Sequence, residues 1–305
     1  MATCLHTQHQ DRIAFDFANR HADRPRRLTI PASMIFLSLL VARCTTAPLD
    51  TAGSLQSYAD LEPSNGLFTR SLLSVSKDDV LAAKTVRIIP TAFSAPAVGG
   101  ELTAAQRGLV ANAVDRTMCA GLSERFEVVD PSQPADLTVY AVITHVTPTN
   151  PFAVGLSKAA SVAVSVALPG VPVPVPRIPI GLGSLSLEAE AFDQQGNQKA
   201  AMVWARGANA FFDSGQVAPE GDAYSLAAKF GGDFSKMLDT GKKPFGSPPS
   251  LKSLGNLLGG KPKYEAYKAF GRSPGLVGLI GGSVGLPPDW TDKGARPEAD
   301  LQKHN

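Results

Sequence analysis

Glu188 and Glu190 are the residues of this chain whose type and spacing most readily fit chemistry. Two positions apart on a strand, their carboxylates project from the same face, an arrangement that serves acid–base work or holds a cation. No third ligand accompanies them in the sequence, so the competing expectation is a solvated strand face. His145 is the only histidine in the expected core region; placed before a proline-ended loop, it reads as structural. Cys119 falls inside an expected helix with no histidine or basic cluster nearby in sequence, so it reads as a small buried residue and not as a reactive thiol. No two of Cys and His within the domain lie at metal-ligand spacing. The run from Gly181 to Ser184 precedes a strand, whereas a nucleophile elbow follows one. The glycines between 275 and 285 lack the Lys and Ser/Thr of a phosphate loop. The expectation is a chain with no catalytic residues, no metal and no cofactor.

Cys44 opens a different chemistry, that of lipid attachment. Met34 to Ala42 is an uncharged apolar run, with Arg24, Arg26 and Arg27 upstream and Cys44, Thr45 and Thr46 just beyond. A membrane span needs about 20 apolar residues, and a run of half that length suits the core of a signal peptide. Residues 1–44 therefore read as a secretory leader ending at a cysteine that takes acyl chains. Val41-Ala42-Arg43-Cys44 resembles the bacterial lipobox, departing from it at Arg43, where a small residue normally stands. The alternatives are an uncleaved leader or a conventional cut near Ala47, the latter leaving a soluble periplasmic protein. With Cys44 acylated the mature chain keeps one thiol and forms no internal disulfide. A net charge of +2 offers no basic face to neutralise phosphates, which argues against a nucleic-acid partner.

The elements that must position these residues follow the leader. Residues 45–80 are rich in Thr, Ser, Pro and Gly and read as a tether. The domain proper is expected over 81–241. It opens with a strand over Thr85–Ile89, a helix over Leu102–Leu122 with a stripe of Leu109, Val110, Ala113, Val114 and Met118, and a strand over Phe126–Val129. Strand, helix, strand at this spacing predicts a parallel pair. Leu137–Val146 is a third strand, with Leu137, Val139, Ala141 and Ile143 on one face. Ser184–Phe192 and Gln198–Arg206 form a hairpin about Asp193 to Asn197. Asp222–Asp239 is a second helix that Gly241 caps. Gly231 and Gly232 lie inside it, explained either by close packing against the sheet or by a kink.

Between the third strand and the hairpin lies an apolar insertion, 150–183. Val162, Val164, Val166 and Leu168 alternate with small residues up to a Pro169-Gly170 turn, after which Val171, Val173 and Val175 alternate with prolines. The segment reads either as a connector laid over apolar surface or as a hairpin that enters a membrane or partner. Residues 242–305 read as a glycine- and proline-rich tail, partly disordered. The fold expected is an α/β (α+β) two-layer sandwich. Its mixed sheet has about five strands with two helices packed on one face, in the order β-α-β-β-(insertion)-β-β-α.

The leader and cysteine, then RFEVVD with ADLTVYAVITHV, then SLSLEAEAFDQQGNQKAAMVWARG and a final helix, resemble the bacterial lipoprotein family called domain of unknown function 3313. The resemblance covers roughly residues 44–240, and its most specific part is Leu185 to Gly207 with the D-x-x-G turn at Asp193 to Gly196. It implies no catalytic residues and no established activity. The order of elements is also similar to that of envelope lipoproteins of the Tol system and of curli secretion. The function expected is that of an exported, lipid-anchored envelope lipoprotein at the outer membrane, facing the periplasm. It would be non-enzymatic, binding another envelope protein or supporting an assembly. The alternative is a self-associating subunit of an export or channel complex that uses residues 159–176.

Overall fold

The computed structural model describes residues 47–167, 177, 179–213, 215–245, 270, 280–282 and 284–292. The leader, Cys44, Leu168, Val171, Val173 and Val175 lie outside the described residues.

Among the described residues eight strands form one mixed sheet: β1 (Glu62–Pro63), β2 (Thr69–Val75), β3 (Thr85–Ile88), β4 (Ala92–Phe93), β5 (Glu127–Val128), β6 (Leu137–Thr147), β7 (Ser184–Phe192) and β8 (Gln198–Gly207). They run in the order β1-β2-β8-β7-β6-β3-β5, with β4 also paired to β6. The β3–β5 pair is parallel, as the strand-helix-strand spacing predicts, and β3 also pairs in parallel with β6. β6, β7, β8 and β2 are antiparallel neighbours.

Among the described residues six helices accompany the sheet: α1 (Lys77–Ala82), α2 (Ala95–Val98), α3 (Ala104–Leu122), α4 (Pro151–Ala167), α5 (Gly221–Thr240) and α6 (Pro288–Thr291). α3 starts at a capping box, in which Thr103 accepts from the Gln106 amide and Gln106 answers at the Thr103 amide. Leu102, expected within the helix, lies before it and is still buried. α5 ends at Gly241 in the left-handed conformation (φ 60°), which only glycine adopts at little cost.

α3 and α5 pack on one face of the sheet. Leu137, Val139, Ala141 and Ile143 of β6 join Leu185, Leu187, Ala189 and Ala191 of β7 beneath Val110, Val114, Met118, Leu226, Phe230 and Phe234. The two helices meet at glycines. A side chain added at Gly121 would strike Ser235 at 2.5 Å, and one at Gly231 would strike Thr117 at 2.7 Å. Gly231 thus serves contact with α3 and not with the sheet, while the space beside Gly232 is open. Trp204 of β8 fits under α5, edge-on to Phe230 at 5.6 Å, and its indole N–H donates to Asp233 at 3.0 Å.

Two expectations are corrected. The segment read as a tether contains β2, whose seven residues pair with β8, and α1. Residues 47–61 lie on the sheet's second face, where Leu49, Leu55, Tyr58 and Leu61 pack on Ala201 and Val203. The first arm of the apolar insertion is helical: Val162, Val164 and Val166 belong to α4. Parts of the tail fold back on the domain: Phe270 is buried in the core, and Arg116 of α3 pairs with Asp292 at 2.5 Å in a buried contact joined by Tyr224.

Candidate functional site

The two strand carboxylates are where chemistry was most expected, and the structure buries both. Glu188 is 0% and Glu190 6% exposed. The expected solvated face is instead covered by the chain between Ala47 and Tyr58. Oε1 of Glu188 accepts from the Ala52 amide (2.9 Å) and the Tyr58 hydroxyl (2.8 Å); Oε2 accepts from the Ser54 amide (3.2 Å) and hydroxyl (2.5 Å). Glu190 accepts from the Gln56 amide (2.9 Å) and the Gln198 side chain (2.7 Å). Burial is the main cause that raises the Tyr58 pKa, with Glu188 adding to it. Two backbone and two hydroxyl donors satisfy both oxygens of one buried carboxylate. The pair therefore works as a cradle for a passing segment.

That segment has a definite direction. The Ser186 hydroxyl donates to the Pro48 carbonyl at 2.5 Å, Ala52 and Ser54 reach Glu188, and Gln56 reaches Glu190. Moving down the chain from Pro48 thus follows β7 from its Ser184 end toward Phe192. Asp50 meets His145 at 3.3 Å, and His145 lies opposite Ser186 across the β6–β7 ladder. His145 is thereby placed among structural contacts, as its position before the proline-ended loop predicts.

Beyond the Ser184 end of β7, a second polar cluster closes the insertion. The Arg177 guanidinium forms a two-pronged pair with Asp222, at 2.8 and 3.1 Å, and both side chains are buried. Asp222 also accepts from the Gly183 amide at 2.8 Å, while its own amide donates to the Thr149 hydroxyl at 3.0 Å. One residue at the start of α5 therefore holds both ends of the insertion, its carboxylate at Arg177 and Gly183 and its amide at Thr149. Gly215 leaves the room that the guanidinium needs, since a side chain there would meet Arg177 at 2.5 Å. Arg177 also borders a cavity of about 330 Å³ that Lys158, Ser157 and Ser161 of α4 line from the other side. Burial, and secondarily the charge of Arg177, lowers the Lys158 pKa.

α4 is turned inside out. Its inward positions are Val154, Ser157, Lys158 and Ser161, spaced three and four apart. Phe152, Leu156, Ala159, Ala163 and Val166 share the outward side and are exposed. Of the residues expected to make an interaction hairpin, Val162 and Val166 are exposed on this helix and Val164 is half-buried. The signals for the helix are Asn150, whose side chain accepts from the amides of Phe152 and Ala153, and Pro151 at the first helical position.

Cys119 is buried in the core, and burial pushes its thiol pKa up. Among the described residues no group of three His, Cys, Asp or Glu is placed to hold a metal ion.

No curated protein matches the chain. Solved structures that match include two of the PelC dodecamer from Paraburkholderia phytofirmans. One, of a single-substitution variant, has 10% identity and a TM-score of 0.30 over 60% of this chain and 98% of that one. The other has 9% identity and a TM-score of 0.31 over 56% and 97%. A likeness this slight bears no weight here. The family model described as "Protein of unknown function (DUF3313)" matches residues 50–234, from the cradled segment through most of α5. That span takes in more than half of the chain and the whole cradle, and the chain belongs to this family.

Proposed function

We propose that this chain is an exported, non-enzymatic envelope lipoprotein, held by acyl chains on Cys44 at the periplasmic face of the outer membrane. Its domain binds another envelope protein or supports an assembly there. The observation that carries the reading is the Glu188–Glu190 cradle. The side chains best suited to acid–base work are enclosed by the segment that begins three residues after Cys44. A carboxylate whose two oxygens already take four donors is poorly placed to receive a substrate proton. The same contacts fasten the domain close to the anchor instead of leaving it on a long leash, which suits a module that has to hold a position at the envelope.

Metabolic labelling with palmitate, on the wild type and on Cys44→Ser, tests the anchor. Label in the wild type that the variant loses supports it, and equal labelling of the two rejects it. Photo-cross-linking in intact cells tests the binding role. Specific adducts to one envelope protein are the expected outcome, and absence of adducts from every exposed face counts against it.

A further inference from the structure

Six of the exposed large apolar side chains belong to three connections. Phe152, Val166, Ile180, Phe211 and Phe212 are between 71 and 76% exposed, and Leu67 is 89% exposed. Leu67 lies just before β2, Phe152 to Ile180 lie between β6 and β7, and Phe211 and Phe212 follow β8. Thr69 pairs with Arg206, and Ser184 pairs with both Thr147 and Gly207. All three connections therefore leave the sheet at one end. They also touch, since the rings of Phe68 and Phe212 lie 5.4 Å apart. A soluble monomer rarely gathers its apolar exposure in one place, and such a gathering marks a contact surface.

α4 is the clearest part of that surface. Lys158 is the only charged residue between Pro151 and Ala167, and it lines the cavity behind the helix. The outward side from Phe152 to Val166 is left entirely apolar. Seventeen residues make a rod about 25 Å long. Among the described residues no helix is long and apolar enough to cross a membrane, but a helix with one apolar face can lie along a bilayer interface.

The direction of the cradled segment selects the occupant. From Gln56 back to Pro48 the chain runs toward the Ser184 end of β7, the end that carries the apolar rim. Ala47 is buried, and three peptide units separate it from Cys44. They reach at most about 11 Å. We infer that the apolar rim of this end, with the outward side of α4, rests on the lipid bilayer to which Cys44 is attached. The inference builds on the proposed acylation of Cys44, because an anchor on so short a connection brings this end of the domain, and no other, against the membrane. A second copy of the chain would have to cover a rim made of a helix and two loops while the anchor holds that rim at the lipid surface.

The test uses the full chain, purified from membranes and reconstituted into phosphatidylethanolamine–phosphatidylglycerol vesicles carrying brominated acyl chains. Phe152→Trp and Leu81→Trp are each made together with Trp290→Phe; Leu81 is half-exposed on α1, beyond the opposite end of β2. Palmitate label is read on the same samples. The expected result is strong quenching and a blue shift for Phe152→Trp, with Leu81→Trp unaffected. Phe152→Ser should lower the partitioning of unacylated Cys44→Ser protein into vesicles by roughly tenfold or more, the factor implied by one buried phenyl ring. Labelled protein in which Phe152→Trp is not quenched overturns the inference and leaves the anchor standing. Unlabelled protein in which it is quenched supports the contact of the rim with lipid and overturns the anchor as its cause. Unlabelled and unquenched protein overturns both. A blue shift without quenching, with a dimer on sizing in detergent, shows that a second copy covers the rim and also overturns the inference.

Discussion

Replacing Glu188 with glutamine tests the cradle by changing little more than one oxygen. Each carboxylate oxygen takes two donors, and in each pair one donor is a backbone amide, from Ala52 or Ser54, and the other is a hydroxyl. Whichever way the new amide is turned, its NH2 faces one of these pairs. The hydroxyl can rotate to accept, but the backbone N–H cannot. One buried donor is then left against another donor, at about 1–3 kcal/mol. The remaining bonds lose charge assistance, which roughly halves them. The sum is about 3 kcal/mol, or about a hundredfold in the opening equilibrium of residues 52–54. Glu190→Gln is the control. Its two described donors converge on Oε2, a position that the amide carbonyl can fill, so the cost should stay below about 1 kcal/mol. Hydrogen exchange followed by mass spectrometry reads the segment directly, and urea denaturation reads the whole domain. Equal effects of the two variants would refute the reasoning. So would a Glu188→Gln protein that is more stable than the wild type, because burial of an uncompensated charge would then outweigh the four hydrogen bonds.

Gly231→Ala should destabilise by about 1–3 kcal/mol, because its methyl would meet Thr117 and the Met118 amide across the helix contact. Gly232→Ala, with open space around it, should stabilise by up to about 1 kcal/mol; chemical denaturation separates the two. The Asp239 pKa is raised to about 7, chiefly by burial and then by Glu124, with Arg125 opposing. A raised carboxyl pKa means that the folded state binds more protons between about pH 4 and 7, so stability should fall as pH rises through that window. Asp239→Asn should flatten the profile and gain most above pH 7, as thermal melts across pH would show. Cys119 should resist thiol reagents in the folded protein and react on unfolding, since burial disfavours its thiolate. Arg116→Met should free the segment around Asp292, removing the guanidinium that pairs with its buried carboxylate; limited proteolysis would then cut near residues 280–292 sooner than in wild type.

Whether an element could be read from the sequence depended on contrast between its two sides. β6 and β7 keep helix-facing residues on alternate positions, and α5 has a strong apolar stripe with a glycine stop, so the central hairpin, α3, α5 and the parallel pair were legible. β2 was not. Leu73 faces the main core, while Leu72 packs under the cradled segment on the second face, and a strand covered on both sides loses its alternation. α4 failed for a related reason. Nearly every residue from Ala159 to Ala167 is small or apolar, so a period of two and a period of 3.6 fit almost equally well. The deciding information lies at the boundary, where Asn150 caps the helix and Pro151 takes its first position.

The carboxylates show what a local pattern omits. Two glutamates on one strand face are solvated or functional if nothing covers that face, and the covering chain lies more than 130 positions upstream. Its serines, alanines and glycine have no periodicity to announce a partner, because the contact is made mostly by backbone amides. Only the Ser54 and Tyr58 hydroxyls add side-chain donors to those amides, which makes the segment look like linker. The acidic residues are therefore better read as the reason why residues 47–58 take a fixed path. That path has a direction as well: the contacts of Pro48 with Ser186, of Ala52 with Glu188 and of Gln56 with Glu190 run the segment along β7 from its Ser184 end toward Phe192.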